Sequence, residues 1–374
     1  MIDVRPATLE EVQASVCDHQ KVLPRGSGTK PALSTPPTGV ASLDLSQLTG
    51  ILEYEPAEFT FTALAGTRLD AVSQALAQHG QCLPFDPPLA SRGATLGGTV
   101  ASGLSGPGRY QYGGVRDFLL GVCYVDGEGL AIRGGGRVVK NAAGYDLPKL
   151  MVGSLGQFGV LVEFTFKVLP LPEATVTALL HYAQLNEALE TIYRLAKSPL
   201  DPNAVDLEVE DAARQTAAKP GAGYQLVVRL TGLESAMPAR LDRLVAIVDR
   251  PEIAIDLIRG SEENHYWERA REMDWIPSGW SLVKIPLTPR RIPDLEAALA
   301  GMHSLRRYSS GGQLLWLATP DPVQAVHERL LERGFSGLVV FGAPGLIRLG
   351  VRTGAAFEQL VKTALDPSDR FVKV

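Results

Sequence analysis

The sequence has few cysteines and histidines, and neither type is grouped. Cys17, Cys82 and Cys123 lie far apart, with no C-x-x-C pair and no histidine at ligand spacing beside them. An iron–sulfur cluster or a structural zinc site is therefore not indicated, and we expect small buried cysteines in a reducing compartment. The six histidines are scattered, so the sequence predicts no metal site: His19, His79, His181, His265, His303 and His327.

The sequence also has no long apolar run and no excess of basic residues, and its first residues do not have the pattern expected of a signal peptide. Its most apolar window, Phe158–Pro170, is interrupted by charged residues and is shorter than the roughly 18 apolar residues that a membrane span needs. Asp3, Glu10 and Glu11 stand where a signal peptide has basic and apolar residues. The net charge of -5 does not suit nucleic acid. We expect a cytoplasmic protein that reaches a membrane only through a partner.

Glycine is abundant but unevenly distributed along the 374 residues. Nearly half of the 38 glycines lie between Ser91 and Val160. Because glycine lets the backbone approach a bound molecule closely, the first half is predicted to enclose a ligand. With 45% hydrophobic and 21% charged residues, a chain of this length is expected to form two or three globular domains.

Short apolar runs separated by turns predict a mixture of strands and helices in the first half. Within Thr67–His79, for example, Leu69, Val72 and Leu76 recur at helical spacing. Helices are predicted at Thr8–Asp18, Thr67–His79 and Tyr145–Leu150, and strands at Lys21–Pro24, Ala41–Asp44, Gly50–Glu55, Thr60–Ala65, Phe118–Val125, Leu130–Gly134 and Phe158–Val168.

The second half contains an internal duplication. The order strand, helix, strand, strand, helix, strand occurs over residues 175–258 and again over 281–341, and a joining helix is predicted at 261–275. This order is typical of the ferredoxin-like split βαβ unit, in which helices cover one face of an antiparallel sheet. The two sheets are suited to pairing into a larger one.

Two glycine-containing segments have the residue types of an anion or cofactor site. In Pro24–Lys30, glycines and small hydroxyl residues let backbone N–H groups converge on an anion such as a pyrophosphate, although the spacing matches neither a Rossmann motif nor a P-loop. In Arg92–Gly103, the glycines leave room for a flat ring, and Thr95 and Ser102 offer hydroxyls. Each segment alone is also compatible with an ordinary turn or a tight chain crossing.

Further motifs follow in order: Gly113–Asp117, Val139–Leu147 and Gly153–Val160. Together with the earlier segments, their order from Pro24 to Leu171 resembles the FAD-binding (PCMH-type) domain shared by vanillyl-alcohol oxidase and D-lactate dehydrogenase flavoproteins. The stretches that match are Leu45–Leu48 with Glu55 and Pro56, Ala65–Thr67, Leu83–Pro87, Ala94–Gly98, Lys140–Leu147 and Gly153–Val160.

The resemblance implies a set of cofactor-binding residues. Arg25 to Lys30 and Thr95 to Gly98 would surround the pyrophosphate, Ser102 and Gly103 would lie near the flavin, and Val160 beside the adenosine. Members with covalent flavin carry histidine in the first loop, whereas this chain has Thr29 and no histidine from position 20 to 78; non-covalent FAD is expected. The implied set is Arg25, Gly26, Ser27, Gly28, Thr29, Lys30, Pro87, Thr95, Gly97, Gly98, Ser102, Gly103 and Val160.

The second half is similar to the E subunits of bacterial three-subunit glycolate oxidases, through Ser309–Trp316 and Ala364–Phe371. The implied fold is α+β: a PCMH-type FAD-binding domain of two α+β subdomains (1–172), a cap of two ferredoxin-like βαββαβ units (173–345) and a C-terminal segment that packs back on the FAD domain (346–374). The family tail continues Asn-Pro-Gly after the phenylalanine, whereas this chain has Phe371–Val374.

The resemblance implies an FAD-dependent oxidoreductase subunit that oxidises a 2-hydroxy acid such as glycolate, with a second flavoprotein subunit and an iron–sulfur subunit as partners. Members that oxidise hydroxy acids carry a histidine-rich metal segment that this sequence lacks. Two alternatives therefore stay open: a structural or electron-relay flavin subunit, and a stand-alone flavin oxidase. The catalytic residues are not identified, although suitable residue types occur at Lys140, Tyr145, His265, Arg306 and Arg307. Trp267, Trp275 and Trp280 are read as core or, alternatively, as a docking surface.

Overall fold

The computed structural model describes residues 2–136, 145–209, 223–343 and 345–373. The chain divides into two compact units, which are described separately. Unit 1 comprises Met1–Gly106, Gly113–Leu171 and Thr353–Val374, and unit 2 comprises Pro107–Tyr112 and Pro172–Arg352. Most of the motif Val139–Leu147 lies outside the described residues. Nothing in the sequence indicates that residues 107–112 belong to unit 2.

The described helices and strands alternate along most of the chain. The helices are α1 (Leu9–Asp18), α2 (Pro31–Ser34), α3 (Leu69–Ala77), α4 (Leu96–Ser102), α5 (Arg109–Tyr112), α6 (Val115–Phe118), α7 (Leu147–Met151), α8 (Leu185–Lys197), α9 (Met237–Val248), α10 (Gly260–Arg271), α11 (Ile292–Ala298), α12 (Val323–Glu332) and α13 (Ala355–Leu365). The strands are β1 (Asp3–Val4), β2 (Val22–Arg25), β3 (Ala41–Asp44), β4 (Ile51–Glu55), β5 (Thr60–Leu64), β6 (Gln81–Cys82), β7 (Leu119–Val125), β8 (Ala131–Gly135), β9 (Val160–Lys167), β10 (Leu169–Pro170), β11 (Ala174–Tyr182), β12 (Ala204–Val209), β13 (Tyr224–Gly232), β14 (Ile255–Arg259), β15 (Ser281–Pro286), β16 (Leu305–Ser309), β17 (Leu314–Thr319), β18 (Ser336–Phe341) and β19 (Arg348–Gly350).

Unit 1 contains two principal sheets. The first has the order β1-β3-β2, and both strand pairs are parallel. The second has the order β4-β5-β9-β7-β8, and each pair is antiparallel. Its core includes stacked aromatic rings, because Phe61 of β5 and Phe166 of β9 lie opposite each other with ring centroids 5.6 Å apart.

The C-terminal segment of unit 1 completes the core around its first sheet. Phe371 is fully buried among apolar residues of α1, β2 and β3. Its neighbour Arg370 accepts a hydrogen bond at its carbonyl oxygen from the backbone N–H of Val22, at 2.8 Å. The Arg370 guanidinium donates to three carbonyl oxygens at the end of α1, those of Val16, Cys17 and His19. The segment thereby holds both α1 and β2 in place.

Unit 2 is built on a sheet with the order β14-β11-β13-β12-β16-β17-β15-β18-β19. Each copy of the duplicated sequence contributes four strands, in the order 4-1-3-2, and the copies join where β12 pairs antiparallel with β16. On β11, Tyr182 donates to Thr191 of α8, whereas Thr177 accepts from Trp267 of α10. Residues five apart on a strand point to opposite faces, so α8 and α10 cover different faces of the sheet.

Most elements fall where the sequence pattern predicts them, but the segment after Thr95 does not. The sequence pattern predicts no helix there, only backbone that can lie against a flat ring; the segment forms helix α4, with Thr95 as its N-cap and Gly103 at its C-terminal end in the left-handed conformation, at φ 61°. Several other short elements and helix α13 were not predicted either; the short ones are β1, β6, β10, β19, α2, α5 and α6. The physical reason for α4 lies in tertiary contacts of its glycines, described below.

Candidate functional site

The candidate site is a cleft in unit 1. It is bounded by the loop that follows β2, by the start of α2, by one face of α4 and by residues Leu155 to Leu161 at the start of β9. The cleft encloses about 690 Å³, including solvent at its mouth. Its described lining combines apolar side chains with a few polar and cationic ones, which is the usual composition of small-molecule and cofactor sites.

The loop Pro24–Lys30 is anchored by Arg25. Its Nη2 atom lies 3.1 Å from a carboxylate oxygen of Asp3 and 3.2 Å from one of Asp44, so the guanidinium connects all three strands of the first sheet. The next residue, Gly26, packs so closely against Thr95 that a Cβ atom would overlap the threonine hydroxyl. Gly28 has φ 74°, a conformation that favours glycine. The loop and α4 are therefore held at a fixed separation.

The two consecutive glycines of α4 have different roles. The Gly97 N–H donates to the carbonyl oxygen of Ala65 at 2.8 Å, and a Cβ atom at Gly97 would lie only 3.0 Å from that oxygen. Gly98 donates to the Thr95 hydroxyl at 3.2 Å, and a Cβ atom there would lie 3.8 Å from the Lys30 ammonium nitrogen. Gly97 thus lets the helix approach the end of β5, whereas Gly98 lets the Lys30 ammonium and the Thr95 hydroxyl, 3.3 Å from such a Cβ atom, lie close to the helix.

Lys30 gives the cleft its distinctive electrostatics. Its side chain is buried, with 6% of the residue exposed, and its Nζ atom makes a long hydrogen bond of 3.4 Å to the Thr29 hydroxyl. Within the described part of the chain, no carboxylate pairs with Lys30. Burial without a counter-charge lowers the pKa of Lys30 from 10.5 to about 8. A buried cation without a partner fits a ligand that brings negative charge.

The cleft brings together ten of the thirteen residues that the resemblance implies. They are Arg25, Gly26, Ser27, Gly28, Thr29, Lys30, Thr95, Gly97, Gly98 and Ser102. The Ser102 hydroxyl, however, donates to the carbonyl oxygen of Gly98 within α4 at 2.7 Å. The wall also includes Leu45, Leu155 and Gly156, which sequence reasoning did not select as site residues. These three residues, like Ala65, lie in stretches that carried the resemblance but were not assigned a site role.

Pro87, Gly103 and Val160 are not among the residues that line the cleft. Val160 is fully buried in the core cluster of the first sheet, and its neighbours Gly159 and Leu161 line the cleft instead. The reason is the alternation of side chains along β9, which directs neighbouring residues to opposite faces. Gly103 ends α4 and packs against the backbone of Gly153. Pro87 is buried away from the cleft lining.

The residues named as suitable for acid–base or carboxylate chemistry are not assembled in this cleft. Lys140 lies outside the described residues, and Tyr145 of unit 1 is 94% exposed. In unit 2, the Arg307 guanidinium is buried between Asp206, at 2.9 Å, and Glu208. Arg306 pairs with Glu296, and His265 is on the exposed side of α10. The two arginines are therefore occupied by ion pairs, Arg307 within the sheet and Arg306 with helix α11.

The other candidate features have structural roles. Asp117 accepts a hydrogen bond from the backbone N–H of Gly114 at 2.8 Å and so caps α6. Trp267 is buried in the core of unit 2, while Trp275 and Trp280 are partly buried. Across the described ranges, no group of three or more histidine, cysteine or acidic residues is arranged to hold a metal ion. No described helix combines the length and apolar character that crossing a membrane requires.

Comparison with known proteins agrees with this geometry. A family model described as an FAD binding domain matches residues 2–135. The chain is 35% identical to glycolate oxidase subunit GlcE of Escherichia coli (strain K12), over 99% of this chain and 96% of the relative. It is 28% identical to glycolate oxidase subunit GlcD of Bacillus subtilis (strain 168), over 72% of this chain and 59% of the relative.

The fold has a solved counterpart. A structure of alkyldihydroxyacetonephosphate synthase superposes with a TM-score of 0.76 at 16% identity, covering 100% of this chain and 77% of that one. At this identity the likeness concerns the fold alone. It confirms the predicted α+β fold. The matching FAD binding domain model and the similarity to GlcE over 99% of the chain confirm FAD as the cofactor. The chain belongs to the PCMH-type family of FAD-binding oxidoreductases.

Proposed function

We propose that the chain is the FAD-binding subunit of a complex that oxidises glycolate or a related 2-hydroxy acid to the 2-oxo acid and passes the electrons to a partner protein. The observation that carries the proposal is the cleft of unit 1, whose described lining has two cationic side chains, Arg25 and Lys30, and no acidic one. The similarity to a glycolate oxidase subunit over nearly the whole chain supplies the substrate class.

The residues of the cleft fit the two chemical parts of FAD. Lys30 and the loop Arg25–Thr29 would hold the pyrophosphate, because they offer a buried cation and backbone N–H groups. The apolar side chains Leu45, Leu155 and Leu161 would contact the ring systems and exclude water from them. Bound FAD supplies an acceptor for the two electrons that leave the hydroxy acid.

We further propose that the flavin is held without a covalent bond. Support comes from the described lining of the cleft, which contains neither histidine nor cysteine. Denaturing the yellow protein with acid and separating protein from supernatant tests this directly. We expect the flavin in the supernatant as intact FAD; flavin that stays with the precipitated protein would contradict the proposal.

The proposed partners are a second flavoprotein subunit and an iron–sulfur subunit. The relatives GlcE and GlcD are each named as subunits of glycolate oxidase. In this chain the described cysteines do not form a cluster: Cys17 is exposed, Cys82 partly buried and Cys123 buried. In the same proposal, residues 1–172 form the FAD-binding domain, 173–345 form the cap domain, and 346–374 pack back on the FAD-binding domain.

The decisive experiment compares the chain alone with the chain co-expressed with candidate partner subunits. Each preparation is reduced anaerobically with glycolate and with D-lactate while the flavin absorbance near 450 nm is followed. We expect oxidised flavin in both preparations and substrate bleaching in the assembled complex. Absence of flavin, with no uptake of added FAD, would refute the central claim. Flavin that no hydroxy acid bleaches in either preparation would favour a structural or relay subunit, and oxygen-dependent turnover by the isolated chain would favour a stand-alone oxidase.

A further inference from the structure

We propose that Lys30 is the specific charge partner of the FAD pyrophosphate, and that FAD enters the cleft together with a proton that Lys30 takes up. The inference rests on the proposed placement of FAD in this cleft and deepens it. It assigns to one side chain both the recognition of the pyrophosphate and a pH dependence of cofactor binding. The argument uses the position of the ammonium group, the charges around it and the cost of its burial.

The position of Lys30 is set by the elements on either side of it. The residue is the N-cap of α2 and is 6% exposed, and Pro31 follows it at the first position of the helix. Its Nζ atom lies on the side of α4 where Gly98 has no side chain. The only described hydrogen bond of the ammonium is the 3.4 Å contact with Thr29, and Lys30 lines the cleft, so the ammonium has donor capacity left for a ligand there.

The charges around the ammonium do not neutralise it. Helices α2 and α4 contain no ionisable side chain, and neither does the lining segment from Leu155 to Leu161. The one other charged side chain of the described lining is Arg25, whose charge is matched by Asp3 and Asp44. Those two carboxylates are therefore engaged at the arginine. A pyrophosphate in the cleft would supply the counter-charge that the protein lacks.

Proton uptake follows from this arrangement. In the FAD-free protein, burial lowers the pKa of Lys30 to about 8, so the group is about half neutral at pH 8. A bound dianion favours the ammonium form and raises the pKa again. Below about pH 8 Lys30 is already protonated in the free protein, so its titration should not change the affinity for FAD. Above it, the affinity should fall by up to about tenfold per pH unit, until the pKa of the bound form is reached.

The test uses the full chain freed of FAD and three ligands that separate the parts of the cofactor: FAD, ADP and riboflavin. Dissociation constants and proton uptake are measured by titration calorimetry in buffers of different ionisation enthalpy. The variants are Lys30→Met, Lys30→Arg and, as a matched control, Lys197→Met on the exposed side of α8. The wild-type protein should take up about half a proton per FAD or ADP at pH 8, and none with riboflavin.

Lys30→Met should weaken the binding of FAD and of ADP by about tenfold or more at pH 7, because the pyrophosphate loses its charge partner. The affinity for riboflavin, which has no pyrophosphate, should not change. Lys30→Arg should keep much of the ADP affinity but lose the proton uptake at pH 8, since a guanidinium stays protonated. Lys197→Met should match the wild type.

Two results would overturn the inference: Lys30→Met that binds ADP as tightly as the wild type, or Lys30→Arg that still takes up half a proton. Either result with FAD still bound would leave the proposed function intact. A wild-type chain that binds neither FAD nor ADP would instead refute the proposed site itself. If Lys30→Met fails to fold, the Lys30→Arg titration decides alone.

Discussion

Phe371→Ala should destabilise the FAD-binding unit selectively. The ring is fully buried in the core around the first sheet of unit 1, and the ammonium of Lys362 lies 5.5 Å from its centre. Replacing a buried phenylalanine with alanine costs about 3–5 kcal/mol, from lost burial and the cavity left behind. Because Arg370 and Val372 hydrogen-bond to Val22 of β2, the change should also loosen the loop that follows β2.

The assay can separate the two units, because all four tryptophans belong to unit 2. In a urea titration, tryptophan fluorescence reports on unit 2, and release of FAD reports on unit 1. Phe371→Ala should move the FAD-release midpoint down by about 1–2 M urea, given usual denaturant slopes. The matched control is Phe357→Ala, because Phe357 of α13 is 66% exposed and should contribute less than about 0.5 kcal/mol. Equal midpoints for the two variants would refute the assignment of Phe371 to the core.

Three further predictions follow from buried groups. Gly97→Ala should lower the melting temperature by forcing α4 away from β5, at a cost of about 1–3 kcal/mol. Gly98→Ala should cost less, because its Cβ atom would meet the Thr95 hydroxyl at 3.3 Å and no backbone atom, and it should weaken FAD binding in a fluorescence titration. Glu263→Gln should destabilise unit 2 by about 3–5 kcal/mol in the tryptophan-detected transition, since the buried carboxylate pairs with Arg229 at 2.7 Å, and the exposed neighbour substitution Glu262→Gln should not. Burial lowers the pKa of Lys30 from 10.5 to about 8 in the folded protein, so the buried charge destabilises the folded state fully below pH 8 and no longer above pH 10.5. Without FAD, Lys30→Met should therefore be more stable than the wild type by a few kcal/mol at pH 7 and by almost nothing near pH 10.5.

Local patterns predicted much of the fold, since apolar periodicity acts within a single element. Strand Ala41–Asp44 was predicted with its observed bounds, and the helix containing Leu69, Val72 and Leu76 buries those residues. Helix α4 was missed because glycines at 97 and 98 argue against a helix when propensity alone is considered. Its formation depends on the contact of Gly97 with Ala65, which are far apart in sequence.

In the candidate site, too, local sequence predicted some features, and others depend on tertiary contacts. The residue types and order from Arg25 to Lys30 indicated an anion site, and those residues line the cleft. The sequence could not show that Lys30 is buried without a carboxylate partner, because that depends on which elements pack around it. The position of Val160 depends on the register of β9, and a shift of one residue exchanges the two faces of a strand.

The packing of Phe371 against the first strands has a consequence for biosynthesis. Arg370 contacts the carbonyl oxygen of Val16, 354 positions earlier in the chain. At roughly 5–20 residues per second, a ribosome needs on the order of 20–70 s to make the intervening chain. Throughout that time the first sheet has an incomplete core, whereas the main segment of unit 2, Pro172–Arg352, is made within it and is finished before Arg370 is added. The nascent chain should therefore complete its second unit before its first, and it should acquire FAD only after translation of the C-terminal segment.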